Sequence, residues 1–561
     1  MKTLWVTIKP YLPVFICAIL AAFFVYFPIT DSDIFWHLAA GRELIAQKHF
    51  IYTDPFAYTL ASPRWIDLHW LFQLLMYGLY SAGGERILIL FKLCVVSGVA
   101  VLLCLTHRFS SRYVLFTAII SSFLFYKVRY LIDIRPILIT ILCMAVYLFL
   151  FESARQKKQR AILWLCVPLQ IIWTNSQGLY MIGLFIIGAY WIESVALLLR
   201  HKNNNAAMET ALLLFCTASC LINPYGFAGV RLPFELFSRI TPTANNIYSL
   251  NISENVPLFS LTGFETGYRT PVIITAVIAC LLFIFNRKKI RIAQVILFIG
   301  FLLLALSAVR NVLLYVIIVI PIICYHAASL DICNRFTTLP LTYRRFFSLA
   351  GYIVVLTVLI VPFFRHAAIV AAFPPHRALS PFRFPQKITE LIKRNPIPGN
   401  MFNDMRYGGY LLWHLYPEKK VFIDTRLVIR PPEFFAEYLA ISDHPELFAA
   451  VAKKFNVTHA ILPSALFTRH LKLIQWLYKS DDWRLAFTDG ASVLFVRNDM
   501  ANYPRLDLSN DSTVQNIADS IGVQWKDAPA VRCEALVYFA GLLQTLGLPK
   551  KYHLDASQIK P

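Results

Sequence analysis

Charge is scarce in this 561-residue sequence, and it is lopsided: 32 Asp and Glu stand against 53 Lys and Arg, so 15% of residues are charged. A water-soluble domain carries about a quarter. Together with 58% hydrophobic residues and a mean hydropathy of +0.58, that shortage excludes a chain soluble throughout. It requires a polytopic membrane protein with room for one soluble domain. Cysteine pairing motifs are missing too. Ten of the eleven cysteines lie before residue 334, mostly in apolar segments and without C-x-x-C spacing, and Cys533 stands alone. A disulfide frame and a zinc site are thereby excluded, and the thiols read as small core or lipid-facing residues. No small-x-small cleavage signal follows Lys2, Lys9 and the first apolar run, so residues 1–30 are expected to be a retained signal anchor. No internal repeat is evident. The net charge of +21 does not point to nucleic acid, because the basic residues are dispersed in short loops between apolar runs.

What is present is a series of apolar runs, at 11–29, 86–105, 113–127, 136–152, 161–175, 178–199, 206–222, 271–286, 291–308, 310–328 and 347–368. A shorter amphipathic run at 68–82 ends at Gly83-Gly84. If it lies flat on the membrane and the N-terminus is cytoplasmic, the inside segments hold seventeen basic residues against one acid, Asp331. The outside segments then hold eleven basic and ten acidic residues. If it crossed, the stretches 154–160 and 287–291 would face outward, against the positive-inside rule. The reading is therefore about eleven spans over residues 1–371, with an outer C-terminus. Two outer loops are long, 31–85 with interfacial helices near Phe35–Gln47 and 68–82, and 223–270. Long ordered loops usually serve function, which puts the working face outside.

Beyond Ala372 the hydrophobic runs shrink to strand length after Pro374-Pro375 and Pro381. Strands are expected at Asn400–Asn403, Val421–Asp424 and Ala460–Leu462, with a hairpin at 484–497. Helices are expected at Gln386–Lys393, Tyr407–Leu415, Pro432–Phe455 and Leu466–Tyr478. That alternation implies an extracytoplasmic α/β domain over 372–500. Residues 501–561 open polar and then form an amphipathic helical tail, clearest at Glu534–Leu546.

The chemistry-bearing stretch follows the first span: Asp31-Ser32-Asp33-Ile34-Phe35-Trp36-His37, continuing to Gly41-Arg42. Acids at a membrane boundary are costly unless something uses them. Desolvation would make either Asp31 or Asp33 a better general base, and two neighbouring carboxylates suit a divalent cation, magnesium or manganese. The plainer alternative is a helix N-cap by Thr30 or Asp31. It leaves His37 and Arg42 unexplained, although 33/37 and 38/42 are i, i+4 pairs on the same helix. Asp54, before Pro55, is first of all turn chemistry, and Asp67 and His69 suit cap and surface roles as well as substrate contact. Arg86, Lys92, Lys127, Arg129, Asp133 and Arg135 fall at outer ends of spans, where cations run against the sidedness rule. A lipid-linked phosphate would hold them there, as would snorkelling to ordinary head groups. Asn175 and Arg310 add polar groups at the same depth. Asp424 with Arg426 reads first as a loop-locking salt bridge.

This order of features resembles the C-type glycosyltransferase (GT-C) superfamily, whose members include the protein O-mannosyltransferases, the lipid A aminoarabinose transferase and the oligosaccharyltransferases. Within it the chain is most similar to a bacterial branch of multispan proteins. The residues that carry this are the 31–42 run, Thr53-Asp54-Pro55-Phe56-Ala57-Tyr58-Thr59, Arg135-Pro136, Asn223-Pro224-Tyr225-Gly226, Gly408-Gly409-Tyr410-Leu411-Leu412-Trp413 and Val421-Phe422-Ile423-Asp424-Thr425-Arg426. The resemblance covers roughly residues 1–500. It implies a bacterial inner-membrane enzyme with a periplasmic C-terminal domain. Such an enzyme moves a hexosyl or pentosyl group, with inversion, from a polyprenyl-phosphate donor to a glycan, lipid or protein acceptor. The rival expectations are a non-catalytic envelope scaffold and a transporter or flippase for lipid-linked glycans. Two departures bear on chemistry. The Trp-Trp-Asp acceptor motif of oligosaccharyltransferases is absent, and the Asp-Glu pair of the mannosyltransferases is replaced by Asp31-Ser32-Asp33. The identity of the base and the need for metal both stay open on that ground.

Overall fold

The computed structural model describes residues 11–60, 63–107, 111–200, 206–240, 246–330, 341–373, 377–500 and 502–548. Lys2, Lys9, Cys333 and the linker prolines Pro374 and Pro375 lie outside them. The chain divides into two compact units. Met1–Phe27, Leu68–Phe72 and Arg86–Ala368 form the first, and Pro28–Asp67, Gln73–Glu85 and Ile369–Pro561 the second. Composition alone drew one boundary, near residue 371; contacts also gather the segment after the first apolar helix into the second unit.

The protein is a multispan helical membrane protein. Among the described residues seven helices are long and apolar enough to cross a membrane: Trp70–Leu105, Ser111–Leu131, Ile137–Lys157, Gly178–Leu199, Thr266–Phe285, Val309–Ala328 and Leu349–Ala372. Four shorter apolar helices, Leu12–Phe24, Arg160–Thr174, Ala206–Ser219 and Ile292–Ser307, occupy the remaining apolar runs. Helices are the natural outcome, since lipid offers no partner for a free peptide group. Leu214, Ile284, Leu303 and Leu349 stand exposed on these helices, giving a surface suited to hydrocarbon. Val312–Ala328 lies inside the first unit, with fourteen of its seventeen residues buried, which is where a helix apolar on every side belongs. Trp70–Leu105 is broken at Gly83-Gly84, where Gly84 adopts a φ of +66° that favours glycine. The amphipathic run thus stops where the sequence indicated.

Basic loop residues of the first unit also close a buried ion cluster. Arg291 reaches Glu152 at 2.5 Å and Glu193 at 3.1 Å, and Glu193 further accepts from Ala293 N–H at 2.9 Å. Arg155 meets Glu193 at 3.3 Å, and Arg160 meets Glu209 at 2.7 Å.

The second unit is built on a four-stranded mixed sheet: β1 Asn400–Asn403, β2 Val457–Pro463, β3 Trp483–Thr488 and β4 Ser492–Arg497, in the order β1-β2-β4-β3. β1 runs parallel to β2, while β2–β4 and β3–β4 are antiparallel. Every residue of β2 is buried, as a central strand covered on both faces requires. The helices of this unit are α1 Asp33–Gln47, α2 Gln386–Arg394, α3 Met405–Leu415, α4 Pro432–Asp443, α5 Leu447–Lys454, α6 Leu471–Lys479, α7 Asp511–Gln524 and α8 Pro529–Thr545.

Three sequence expectations need correction. Val421–Asp424 is buried but is not a strand of the sheet. Its backbone is satisfied instead by the early segment, with Val421 N–H donating to Phe56 O at 3.1 Å and Tyr58 N–H to Val421 O at 3.3 Å. The Asn403 side chain and the Thr59 hydroxyl supply the rest at 2.8–2.9 Å. Burial and β-branching gave the strand pattern, and a distant segment took the hydrogen bonds. The expected helix Pro432–Phe455 is two helices, because Pro445 withdraws an N–H and α4 ends on His444. The helix expected from Leu466 begins only at Leu471, after a 3-10 turn at Thr468–His470.

Candidate active site

In the second unit Ser32 stands at the N-cap of α1, and its side chain makes no cap hydrogen bond. Asp31 supplies the turn into the helix through Oδ1, which accepts Asp33 N–H at 3.1 Å. Asp33 is the first residue of α1, and its Oδ1 accepts the Thr425 hydroxyl. The N-cap is thus Ser32 and not Thr30 or Asp31, and Asp31 makes an Asx turn into the helix, while Asp33 is held by Thr425. His37, one turn on, is buried with its ring against Trp36 at 3.6 Å between centroids.

Close backbone packing fixes this geometry. α1 crosses α3 at the Gly408-Gly409 pair. A Cβ on Gly409 would lie 2.5 Å from Ser32 O, and one on Gly408 would lie 2.7 Å from Asp424 Cα. Two adjacent glycines inside a helix cost stability unless close approach requires them, and here it does. Arg42, at the far side of α1, donates to Tyr416 O at 2.9 Å and stacks 4.6 Å over Trp413.

Behind the aspartates lies a fully buried ion cluster. Arg426 clasps Asp424 through Nε at 3.0 Å and a terminal nitrogen at 2.6 Å, and reaches Asp54 with the other at 2.9 Å. Arg430 lies 3.4 Å from the second Asp54 oxygen. The Trp65 and Phe56 rings flank the Arg426 guanidinium at 4.6 and 5.0 Å. Burial pushes the Asp424 carboxyl up, but the Arg426 charge outweighs it and holds the group below the usual carboxylate range. Burial likewise opposes the Arg426 charge, and Asp424 and Asp54 overcome it. Asp54, expected among substrate contacts, also accepts Phe56 N–H at 3.1 Å in an Asx turn and so has both oxygens engaged within the protein. Asp67 accepts the Gln73 amide at 2.6 Å.

The remaining candidates belong to the first unit. Arg129 is buried between Tyr126 and Tyr130, 4.1 and 4.3 Å from their rings, and donates to Tyr126 O at 2.5 Å and the Tyr130 hydroxyl at 3.1 Å. Its Nε has no acceptor, and no carboxylate among the described residues pairs with it. Arg135 makes a forked pair with Glu254 at 2.7 and 2.8 Å, and the same carboxylate acts on Arg310. Lys92 is buried under the Phe27 ring at 4.1 Å, with Asp133 as its opposing charge. Arg86 follows the Gly83-Gly84 break and is exposed. Asn175 is wholly structural in its contacts: it accepts Trp70 Nε1–H at 2.8 Å and donates to Ile171 O and Ile222 O at 2.8 and 2.7 Å. His69 meets Gln177 at 3.0 Å. Sequence reasoning passed over Thr425 and Glu254; a hydroxyl beside Asp424 was visible in the motif, but its partner 392 residues away was not.

As a metal site, Asp31 and Asp33 fall short. Among the described residues no group of three or more His, Cys, Asp or Glu gathers to hold an ion, and one oxygen of each carboxylate already accepts a protein hydrogen bond.

No family model and no curated protein matches the sequence. Solved structures do. The chain is similar to the archaeal oligosaccharyltransferase AglB from Archaeoglobus fulgidus in complex with an inhibitory peptide and a dolichol-phosphate, at TM-score 0.60 and 11% identity over 97% of this chain and 87% of that one. It is similar to the same oligosaccharyltransferase tethered to an acceptor peptide with the NVT sequon, at TM-score 0.57 and 11% identity over 90% and 75%. A third likeness, to its complex with zinc and sulfate, has TM-score 0.54 and 12% identity over 96% and 86%. The multispan helical part and the C-terminal mixed α/β part thus share the fold of an oligosaccharyltransferase.

Proposed function

We propose that the protein is an inverting glycosyltransferase of the bacterial inner membrane, using a polyprenyl-phosphate-linked sugar on the extracytoplasmic side. Asp33, with Asp31 as its neighbour, takes the proton of the acceptor hydroxyl. The oxygen attacks the anomeric carbon from the face opposite the phosphate, and the carbon–oxygen bond to phosphate breaks. In the first unit Arg129, a buried guanidinium with only aromatic and neutral hydrogen-bond partners among the described residues, is the candidate for binding a lipid phosphate. Thr425 fixes one Asp33 oxygen at the head of the helix. The position of Asp33 carries this reading, at the head of a helix clamped by Gly409 and Thr425. The shared oligosaccharyltransferase fold supports a lipid-linked donor.

A divalent cation, had it a third ligand, would sharpen the acidity of the acceptor hydroxyl; the steps above use none. The transporter reading draws little support, because Glu193, the main acid within a span, is bound by Arg291 and Arg155. The test is mass spectrometry of envelope glycans and lipid-linked sugars in a deletion strain complemented with wild type, D31N or D33N. Loss of one sugar with accumulation of its lipid-linked donor is the expected result for D33N. Full restoration by both variants would defeat the catalytic claim and leave a scaffold.

A further inference from the structure

Away from the aspartate helix, the second unit holds a chain of three buried polar side chains that ends at a cavity wall. Asp404 follows β1 and caps α3, accepting Arg406 N–H at 2.8 Å. His470 closes the 3-10 turn before α6, and Ser442 is the penultimate residue of α4. His470 Nε2 lies 3.2 Å from Asp404 Oδ2, and Nδ1 lies 3.0 Å from Ser442 Oγ. Nε2 is also 3.0 Å from the Tyr438 hydroxyl, whose oxygen accepts Met405 N–H at 3.0 Å. Asp404, His470 and Ser442 are all buried. Ser442 lines a cavity of about 410 Å³ together with Arg406, Arg469, Thr468 and Phe467, and the Arg406 guanidinium stacks 3.9 Å over the Phe467 ring.

Hydrogen-bond counting fixes the polarity of this chain. Burial would raise the Asp404 carboxyl, but His470 together with the Arg406 charge and N–H holds it below the usual carboxylate range. A carboxylate only accepts, so an imidazole carrying a single proton holds it on Nε2. Nδ1 is then a bare lone pair, and Ser442 donates its O–H to it. Hydroxyl, imidazole and carboxylate are thereby in the roles of nucleophile, base and orienting group. Asp404 and Tyr438 both meet Nε2, so Ser442 is the partner of Nδ1. Ser442 is among the residues lining a cavity that also carries Arg406, Arg469 and one carboxylate, Asp443.

We propose that Ser442, His470 and Asp404 form an acyl-transfer centre, separate from the glycosyl chemistry, that hydrolyses O-acyl esters carrying an anionic group. Ser442 Oγ attacks the ester carbonyl carbon while its proton passes to His470 Nδ1. The bond from acyl carbon to alcohol oxygen breaks, and the alcohol leaves with that proton. Water then attacks the acyl carbon, giving a proton to Nδ1; the bond to Oγ breaks, Oγ recovers the proton, and the carboxylic acid departs. Asp404 stabilises the transient imidazolium and stays ionised. Arg406 and Arg469 select the anionic ester.

The test uses the full chain in detergent micelles, treated with a fluorophosphonate probe and assayed on para-nitrophenyl acetate and para-nitrophenyl hydrogen succinate. Peptide mapping is expected to place the probe on Ser442. Hydrolysis is expected to fall about 100-fold or more in S442A and H470Q, with succinate preferred over acetate and the preference reduced in R406Q. A wild-type protein whose Ser442 takes no probe overturns the proposal without any variant having to fold. S442A hydrolysing at the wild-type rate overturns it equally, and a preference unchanged in R406Q overturns the anionic substrate.

Discussion

Two buried guanidinium groups, one in each unit, face the same electrostatic problem and meet it differently. Arg426 is enclosed by Asp424 and Asp54 and flanked by aromatic rings, so its charge is cancelled within the protein. Arg129 has the aromatic rings, a carbonyl and a hydroxyl, but no carboxylate among the described residues. The contrast separates a cation paired with carboxylates from the one we propose as a phosphate ligand. The cost of a charge taken from water is the same in kind for both, and only one is compensated from within.

The largest expected effect comes from breaking the compensated side. R426M leaves Asp54 and Asp424 buried without their main cation and should cost about 3–5 kcal/mol of stability, read by guanidinium chloride unfolding of the full chain. G408A should follow at about 1–3 kcal/mol, since the new methyl meets the backbone of Ile423 and Asp424. The check is the thermal midpoint, with G409A displacing Ser32 by the same mechanism.

A pH series gives a third, graded measure of the second unit. Burial, then Lys419, lowers the His459 pKa to about 3; burial, then Lys393 and Arg42, lowers that of His414 to about 4. Below the unfolded value of about 6.5 the unfolded chain takes up protons that the folded one refuses. Stability is therefore full above that pH and declines as pH falls toward the folded values, by about 1.4 kcal/mol per pH unit for His459. Asp424, with its lowered pKa, adds a loss at the acid end. Denaturant midpoints between neutral pH and pH about 4.5 check the slope, and H459Q should flatten it.

The smallest stability effect belongs to Arg129. R129Q should change unfolding by no more than about 1 kcal/mol while raising the donor concentration needed for transfer. If it destabilises as R426M does, the distinction between the two arginines collapses.

Much of this was legible in the sequence. The apolar runs coincide with the seven helices that, among the described residues, are long and apolar enough to cross a membrane, because in lipid the length of apolar segments decides the matter. α1 and the hairpin β3–β4 were readable from their local patterns. The Asp31-Ser32-Asp33 stretch stood out because acids beside an apolar run are rare. The partners did not stand out. Thr425 for Asp33, Asp54 for Arg426 and Phe56 for Val421 are pairings across more than 360 residues, and no local periodicity encodes them. Val421–Asp424 shows the limit best. Its composition announces burial, but which backbone will accept its hydrogen bonds is a fact about topology.

The same long-range pairings set an order of assembly. Ile29 bridges Leu379, and Ala57 bridges Val421, so the segment bearing the aspartates is made early yet finds its backbone partners only when the last third of the chain has been synthesised. Until then it stays without its final hydrogen bonds, and loop closure over such a span is slow relative to local helix formation. A ribosome product truncated before residue 421 would insert its apolar helices and still lack an ordered Asp33.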